Sequence, residues 1–208
     1  MKKLRIGFDI DDVLVNSGIA MTSLHNKVYG TQLDLNNIYN LETFKDWGVA
    51  DGQGIVDRIH EIMRLDDWLG LDTPIEGALG VLSKLKDEGH QLFAITGRPA
   101  SFRSDTIKLL ETYFPGIFSD ETLFMTDLYA VDGSPVEKVT KLDIARELKL
   151  THFVEDLLVH ADILAEEGIK TVLFTYGYHW NQTGGHDSLV RLSTWREIGE
   201  FFEDECRD

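Results

Sequence analysis

Five short apolar runs, each ended by a polar or acidic cluster, constrain the fold of this chain more than any other feature. They are residues 4–10 (LRIGFDI), 91–96 (QLFAIT), 122–126 (TLFMT), 152–155 (HFVE) and 170–175 (KTVLFT). Their length suits strands buried on both faces. Helical stripes lie between them. Ile75, Ala78, Leu79, Leu82 and Leu85 form one, stopped by Gly89. Val136, Val139, Leu142, Ala145 and Leu148 form a second, Ala161, Leu164 and Ala165 a third, and Trp195, Ile198, Phe201 and Phe202 close the chain. Strands alternating with helices predict an α/β fold: a doubly wound parallel sheet between two helical layers.

The first crossover breaks the pattern. About eighty residues separate Ile10 from Gln91, far more than one connecting helix needs. Residues 17–29 and 54–64 within it read as helices, so residues 16–73 are expected to form a small helical cap. The core is then residues 1–15 and 74–208, with Asp72-Thr73-Pro74 marking the return and Pro74 suited to a helix start. Phe44, Trp47 and Trp68 could stack on a flat ligand, with His25 or Trp180 beside them, although aromatics in a small insertion usually form its own core.

Four polar clusters fall at strand C-terminal ends, the edge where open parallel sheets bind ligands. Asp9-Ile10-Asp11-Asp12 follows the first strand, and alternation would put Asp9 and Asp11 on one side. Two like charges so close need a cation or a shared proton. Thr96-Gly97-Arg98-Pro99 offers a hydroxyl and bare backbone N–H groups to an anion. Lys141, with Lys138 as competitor, lies in the helix before the fourth strand. That helix could start at a capping box over residues 134–137 or at a later one over residues 140–143. Glu155-Asp156 is a second acid pair after a buried strand. Such carboxylates suit Mg²⁺, which takes oxygen ligands, and the Cys and His spacings do not match a zinc site.

The chain has 208 residues, 36 acidic against 20 basic, for a formal charge of −16. That surface repels phosphate backbones and anionic lipid, so long nucleic acid or a membrane is a poor partner, whereas a small anion held by a metal and a few cations is not excluded. No stretch approaches the roughly 20 apolar residues that span a bilayer. Cys206 stands alone and the N-terminus lacks a leader-like pattern, so a cytoplasmic location is expected.

In this order the clusters resemble the haloacid dehalogenase-like (HAD) phosphohydrolases: FDIDDVL their first motif, ITGRP their second, a helix lysine their third and FVED their fourth. Asp12 stands where that superfamily usually has Gly. A closer likeness is to the 5′(3′)-deoxyribonucleotidase family, through WLGLDTPIEGA at residues 68–78 and through Leu173-Phe174-Thr175 followed by Trp180-Asn181-Gln182. Thr96-Gly97-Arg98 replaces its usual Thr-Ser-Pro, and the helix before the fourth motif is longer.

The resemblance implies a Mg²⁺-dependent phosphomonoesterase acting on a small phosphate ester, with nucleoside monophosphates ahead of sugar phosphates. Asp9 would attack phosphorus and Asp11 would serve as acid and then base. Asp9, the Asp11 carbonyl and Asp156 would hold the metal, with Glu155 as a further candidate. Thr96, the Gly97 amide and Lys141 would hold the phosphoryl oxygens, with Arg98 and Trp68 on the substrate. A phosphomutase is an enzyme alternative. A phosphoaspartate receiver domain is the non-enzymatic one, but receivers are shorter and place their lysine after the hydroxyl on a late strand.

Overall fold

The computed structural model describes residues 2–35, 38, 45–65, 68–127, 139–177 and 181–207. Lys138, Phe44 and Trp180 lie outside them. Among the described residues, a six-stranded sheet runs in the order β3-β2-β1-β4-β5-β6, with all neighbours parallel. The strands are β1 (Arg5–Phe8), β2 (Gln91–Thr96), β3 (Leu123–Met125), β4 (His152–Glu155), β5 (Lys170–Phe174) and β6 (Val190–Leu192). The helices are α1 (Ser17–Tyr29), α2 (Gly52–Met63), α3 (Trp68–Leu71), α4 (Ala78–Asp87), α5 (Arg103–Tyr113), α6 (Lys141–Glu147), α7 (Leu158–Glu166) and α8 (Trp195–Glu205).

Side chains alternate across the sheet because successive Cβ atoms point to opposite faces. Leu4, Ile6, Phe8, Leu92, Ala94 and Val154 pack with α4, α5 and α8 on one face. Phe93, Ile95 and Phe153 pack with α6 and α7 on the other. This is the three-layer arrangement that the apolar runs require. Gly7 sits on the second face where no Cβ fits: one would meet the Phe153 ring at 2.7 Å and Leu150 at 2.8 Å.

Trp195 closes the first face. It is buried, its ring lies 5.8 Å from that of Phe8, and its indole N–H donates to the Val13 carbonyl at 3.0 Å. Trp195→Ala is expected to cost about 3–5 kcal/mol from the cavity alone, measured by denaturant unfolding. Trp195→Phe keeps most of the ring and should lose less than half of that.

Helices α1, α2 and α3 lie between β1 and β2 and share a separate apolar cluster that includes Met21, Leu24, Trp47, Ile55, Ile62 and Trp68. Trp47 is fully buried there, with the His25 ring 4.8 Å away. His25 also contacts the Thr31 hydroxyl at 2.7 Å, and burial lowers its pKa to about 4. Both residues therefore belong to the core of the insertion and not to a ligand wall. The chain enters and leaves this region through two touching segments: the Asn16 amide donates to the Thr73 carbonyl and the Ile75 amide to the Leu14 carbonyl, each at 2.9 Å.

Candidate active site

In an open sheet the ligand crevice forms where the strand order reverses. Here that point lies between β1 and β4, whose ends carry Asp9 and Glu155-Asp156. The Asp9 amide donates to the Val154 carbonyl at 3.0 Å, which locks the two strand ends together. Carboxylate oxygens of Asp9, Glu155 and Asp156 all lie within 4.8 Å of one another, and all three residues are buried.

Lys141 completes the cluster. Thr140 caps α6 and exchanges hydrogen bonds with Asp143, so Lys141 is the first helical residue. This is the later of the two helix starts open in the sequence; the earlier, over residues 134–137, lies outside the described residues. From there Lys141 Nζ reaches Glu155 Oε2 at 2.6 Å and Asp9 Oδ1 at 3.1 Å. Glu155 also accepts from the Leu157 amide at 3.2 Å. Three buried carboxylates thus face one buried ammonium, an excess of negative charge that buried groups do not carry unaided.

The protonation tendencies show that excess. Burial pushes Asp9 well above its usual pKa against the opposing pull of Lys141. Burial and then Glu155 do the same to Asp156. Burial would raise Glu155 too, but Lys141 and His160 outweigh it and hold it at about 2. A divalent cation is the group that would relieve Asp9 and Asp156 together, and oxygen-only donors suit a hard ion.

Thr96 and Arg98 take different partners from those expected. The Thr96 hydroxyl donates to Asp11 Oδ2 at 3.0 Å and accepts from the Arg98 amide at 3.1 Å. The Arg98 side chain is 2% exposed and binds Asp11, Asp72 and Ser17. Its Nε and Nη2 are thereby engaged by protein groups, while the residue also lines the cavity over the site. Burial would raise the Asp11 pKa, but Arg98 outweighs it and leaves the carboxyl lowered. Burial likewise raises Asp72, to about 6, against the same guanidinium.

Asp12 explains the usual glycine at its position. Its φ is +56°, a left-handed conformation that Gly adopts freely and Asp tolerates better than most. Its carboxylate oxygens accept from the Gly18 amide at 3.0 and 3.1 Å, at the start of α1. Asn181 holds the far side of the site by donating to the carbonyls of Asp156 at 2.9 Å and Phe174 at 2.8 Å.

A cavity opens over these groups. Asp9, Asp11, Gly97, Lys141 and Asp156 line one side, and Met21, Ile59, Met63 and Trp68 line the other. His160 also faces it, with Nδ1 3.9 Å from Glu155 Oε2. Ser17, Asp72 and His160 were not singled out by the sequence reading. Ser17 and His160 belong to no motif or strand end, whereas Asp72 lies within the WLGLDTPIEGA segment.

The parallel sheet, the insertion after β1 and the acids at the switch point define a HAD-like phosphohydrolase, a phosphoric monoester hydrolase of the 5′-nucleotidase kind. Residues 2–136 match the model of the family described as "5' nucleotidase, deoxy (Pyrimidine), cytosolic type C protein", and the chain belongs to that family. A Bacillus cereus protein named "Putative nucleotidase" is 25% identical over 97% of this chain and 100% of its own length. Among solved structures, "a predicted phosphatase from Clostridium acetobutylicum" superposes with a TM-score of 0.70 at 17% identity, covering 98% of this chain and 100% of that one. A HAD family hydrolase from Deinococcus radiodurans R1, solved with bound phosphate and sodium, gives a TM-score of 0.61 at 17% identity, covering 97% and 96%. At those identities the structural likeness establishes the fold. Among the described residues, no helix is long and apolar enough to cross a membrane.

Proposed function

We propose that this protein is a Mg²⁺-dependent phosphatase of nucleoside monophosphates that works through an aspartyl-phosphate on Asp9. The observation that carries the reading is the convergence of Asp9, Glu155 and Asp156 within 4.8 Å, with Lys141 3.1 Å from Asp9. Asp9 and Asp156 would hold the ion. Glu155, already engaged by Lys141, would chiefly anchor that lysine, and the Asp11 carbonyl would complete the protein ligands. Bound Mg²⁺ would shield the nucleophile from the phosphate charge and stabilise the phosphoryl oxygens.

The chain's own groups do the rest. An Asp9 oxygen forms a bond to phosphorus as the bond from phosphorus to the ester oxygen breaks, and Asp11, which must first take up a proton because Arg98 holds it ionised in the free protein, gives that proton to the leaving oxygen. Asp11 then takes a proton from water, whose oxygen attacks phosphorus and frees Asp9 and inorganic phosphate. Lys141 and the Gly97 amide would hold the transferring oxygens, with the Thr96 hydroxyl acting through Asp11. Residues 16–73 would act as a cap that excludes water, and Trp68 would meet the base. The family description and the name of the Bacillus relative support the nucleotide.

The test is a phosphate-release screen over ribo- and deoxyribonucleoside monophosphates and sugar phosphates, with and without Mg²⁺. Nucleotide turnover that a chelator abolishes is the expected result. Preference for sugar phosphates would overturn the substrate, and chelator-resistant turnover would overturn the metal.

Metal binding should also depend on pH. Asp9 and Asp156 have raised pKa values in the folded chain. Their contribution to stability is therefore full at low pH and is lost as pH rises through those raised values. Mg²⁺ binds the deprotonated forms and offsets that loss, with affinity gaining about tenfold per pH unit for each proton displaced. The rise in Tm on adding Mg²⁺ should thus be larger in mildly alkaline than in mildly acidic buffer. An increment independent of pH would contradict the assignment.

A further inference from the structure

We propose that Arg98 is a positioning residue that holds Asp11 and both connections of the inserted helices in one arrangement. The inference rests on the assignment of Asp11 as proton donor above. Nη2 of Arg98 donates to Asp11 Oδ1 at 2.7 Å, and Nε lies 3.1 and 3.2 Å from the two Asp11 oxygens. The same Nη2 donates to Asp72 Oδ2 at 2.7 Å and reaches Ser17 Oγ at 3.2 Å. Ser17 opens α1 on the outgoing connection, and Asp72 precedes Thr73 on the returning one. One guanidinium therefore binds a carboxylate of the core and a side chain from each arm leading to residues 16–73.

Only a planar fork with several fixed donors can do this. A lysine ammonium carries the same charge but cannot present parallel N–H groups to two carboxylates. The two arms already run together through the Asn16–Thr73 and Leu14–Ile75 hydrogen bonds. The Tyr113 hydroxyl further fixes the return arm by donating to the Asp72 carbonyl at 2.8 Å. Parting the arms would take Asp72 and Ser17 from Arg98 and release it to turn, and Asp11 would turn with it. The orientation of Asp11 is thus fixed only in the arrangement where all three side chains meet.

The discriminating readout is leaving-group dependence. An alkyl ester needs a proton on its leaving oxygen, whereas p-nitrophenolate departs without one. Single-turnover cleavage of an alkyl monophosphate and the initial p-nitrophenolate burst are measured for wild type, Arg98→Lys, Asp72→Asn and Asp11→Asn. Arg98→Lys is expected to slow the alkyl ester by about 10–100-fold, less than the roughly 10²–10⁴-fold of a complete acid–base catalyst, while leaving the burst nearly unchanged. Asp72→Asn, which keeps its shape, should show the same asymmetry at smaller size, and it decides the matter should Arg98→Lys fail to fold. Equal slowing of both substrates, or of neither, would overturn the inference. If Asp11→Asn itself lacks the asymmetry, the assignment of Asp11 as acid falls first. If Asp11→Asn has it and the other two variants do not, the role of Arg98 alone falls.

Discussion

Asp9→Asn should abolish turnover while leaving the fold intact. The amide keeps the size of the side chain but cannot attack phosphorus, so kcat is expected to fall by about 10⁴–10⁶-fold, the scale seen when a catalytic nucleophile is removed. Stability should not fall with it. The Asp9 carboxylate is buried with more negative than positive charge around it, and neutralising it lightens that burden in the metal-free protein. Thermal unfolding should therefore show an unchanged or higher Tm without Mg²⁺ and a smaller gain when Mg²⁺ is added. Phosphate release within about tenfold of wild type would remove Asp9 from the nucleophilic role.

Lys141→Met should act on activity and stability together. Lys141 faces Asp9 at 3.1 Å and Glu155 at 2.6 Å, and all three side chains are buried. Removing the ammonium leaves those carboxylates without their cation, which typically costs about 3–5 kcal/mol in a buried pair. Loss of one positioned charge on the transferring group costs about 10²–10³-fold in kcat besides. The two effects are separable with Mg²⁺, because the ion would neutralise the same carboxylates. Saturating Mg²⁺ should recover part of the lost Tm and little of the lost kcat. A stability loss indifferent to Mg²⁺ would mean that Lys141 and the metal do not share a site.

How much of this could be read from the residues depended on how local the signal was. Apolar runs with abrupt polar ends marked five of the strands, because burial on both faces leaves few polar positions in the middle of a strand. The helix Ser17–Tyr29 carried its own boundaries, ending where Gly30 takes a positive φ of 68°. By contrast β6 is three residues long, half-buried and at the sheet edge, so Val190-Arg191-Leu192 has no period to detect. Helix α5 buries only Thr106, Leu109 and Leu110 among its residues, too thin a stripe to stand out. Among the aromatics of the insertion, the resemblance over residues 68–78 favoured Trp68 for stacking. Packing separated them, placing Trp47 in a closed core and Trp68 along the cavity wall.

The acids at the strand ends stood out because each ends a buried run. Their convergence did not, since it follows from β4 lying beside β1 across the switch point. Arg98 is the clearest case. Its neighbours Thr96 and Gly97 suggest an anion site, yet its partners Ser17 and Asp72 lie 81 and 26 residues away along the chain. A guanidinium finds whichever carboxylates the fold brings near, and no spacing rule encodes that choice.

The covalent step can be caught directly. Asp11→Asn protein mixed with p-nitrophenyl phosphate, whose leaving group needs no proton, and Mg²⁺, then quenched in acid and reduced with borohydride, should convert one carboxyl-phosphate to an alcohol, and peptide mass mapping should locate that alcohol at position 9. No reduced residue, or one at any other position, would contradict a mechanism in which Asp9 carries the phosphoryl group.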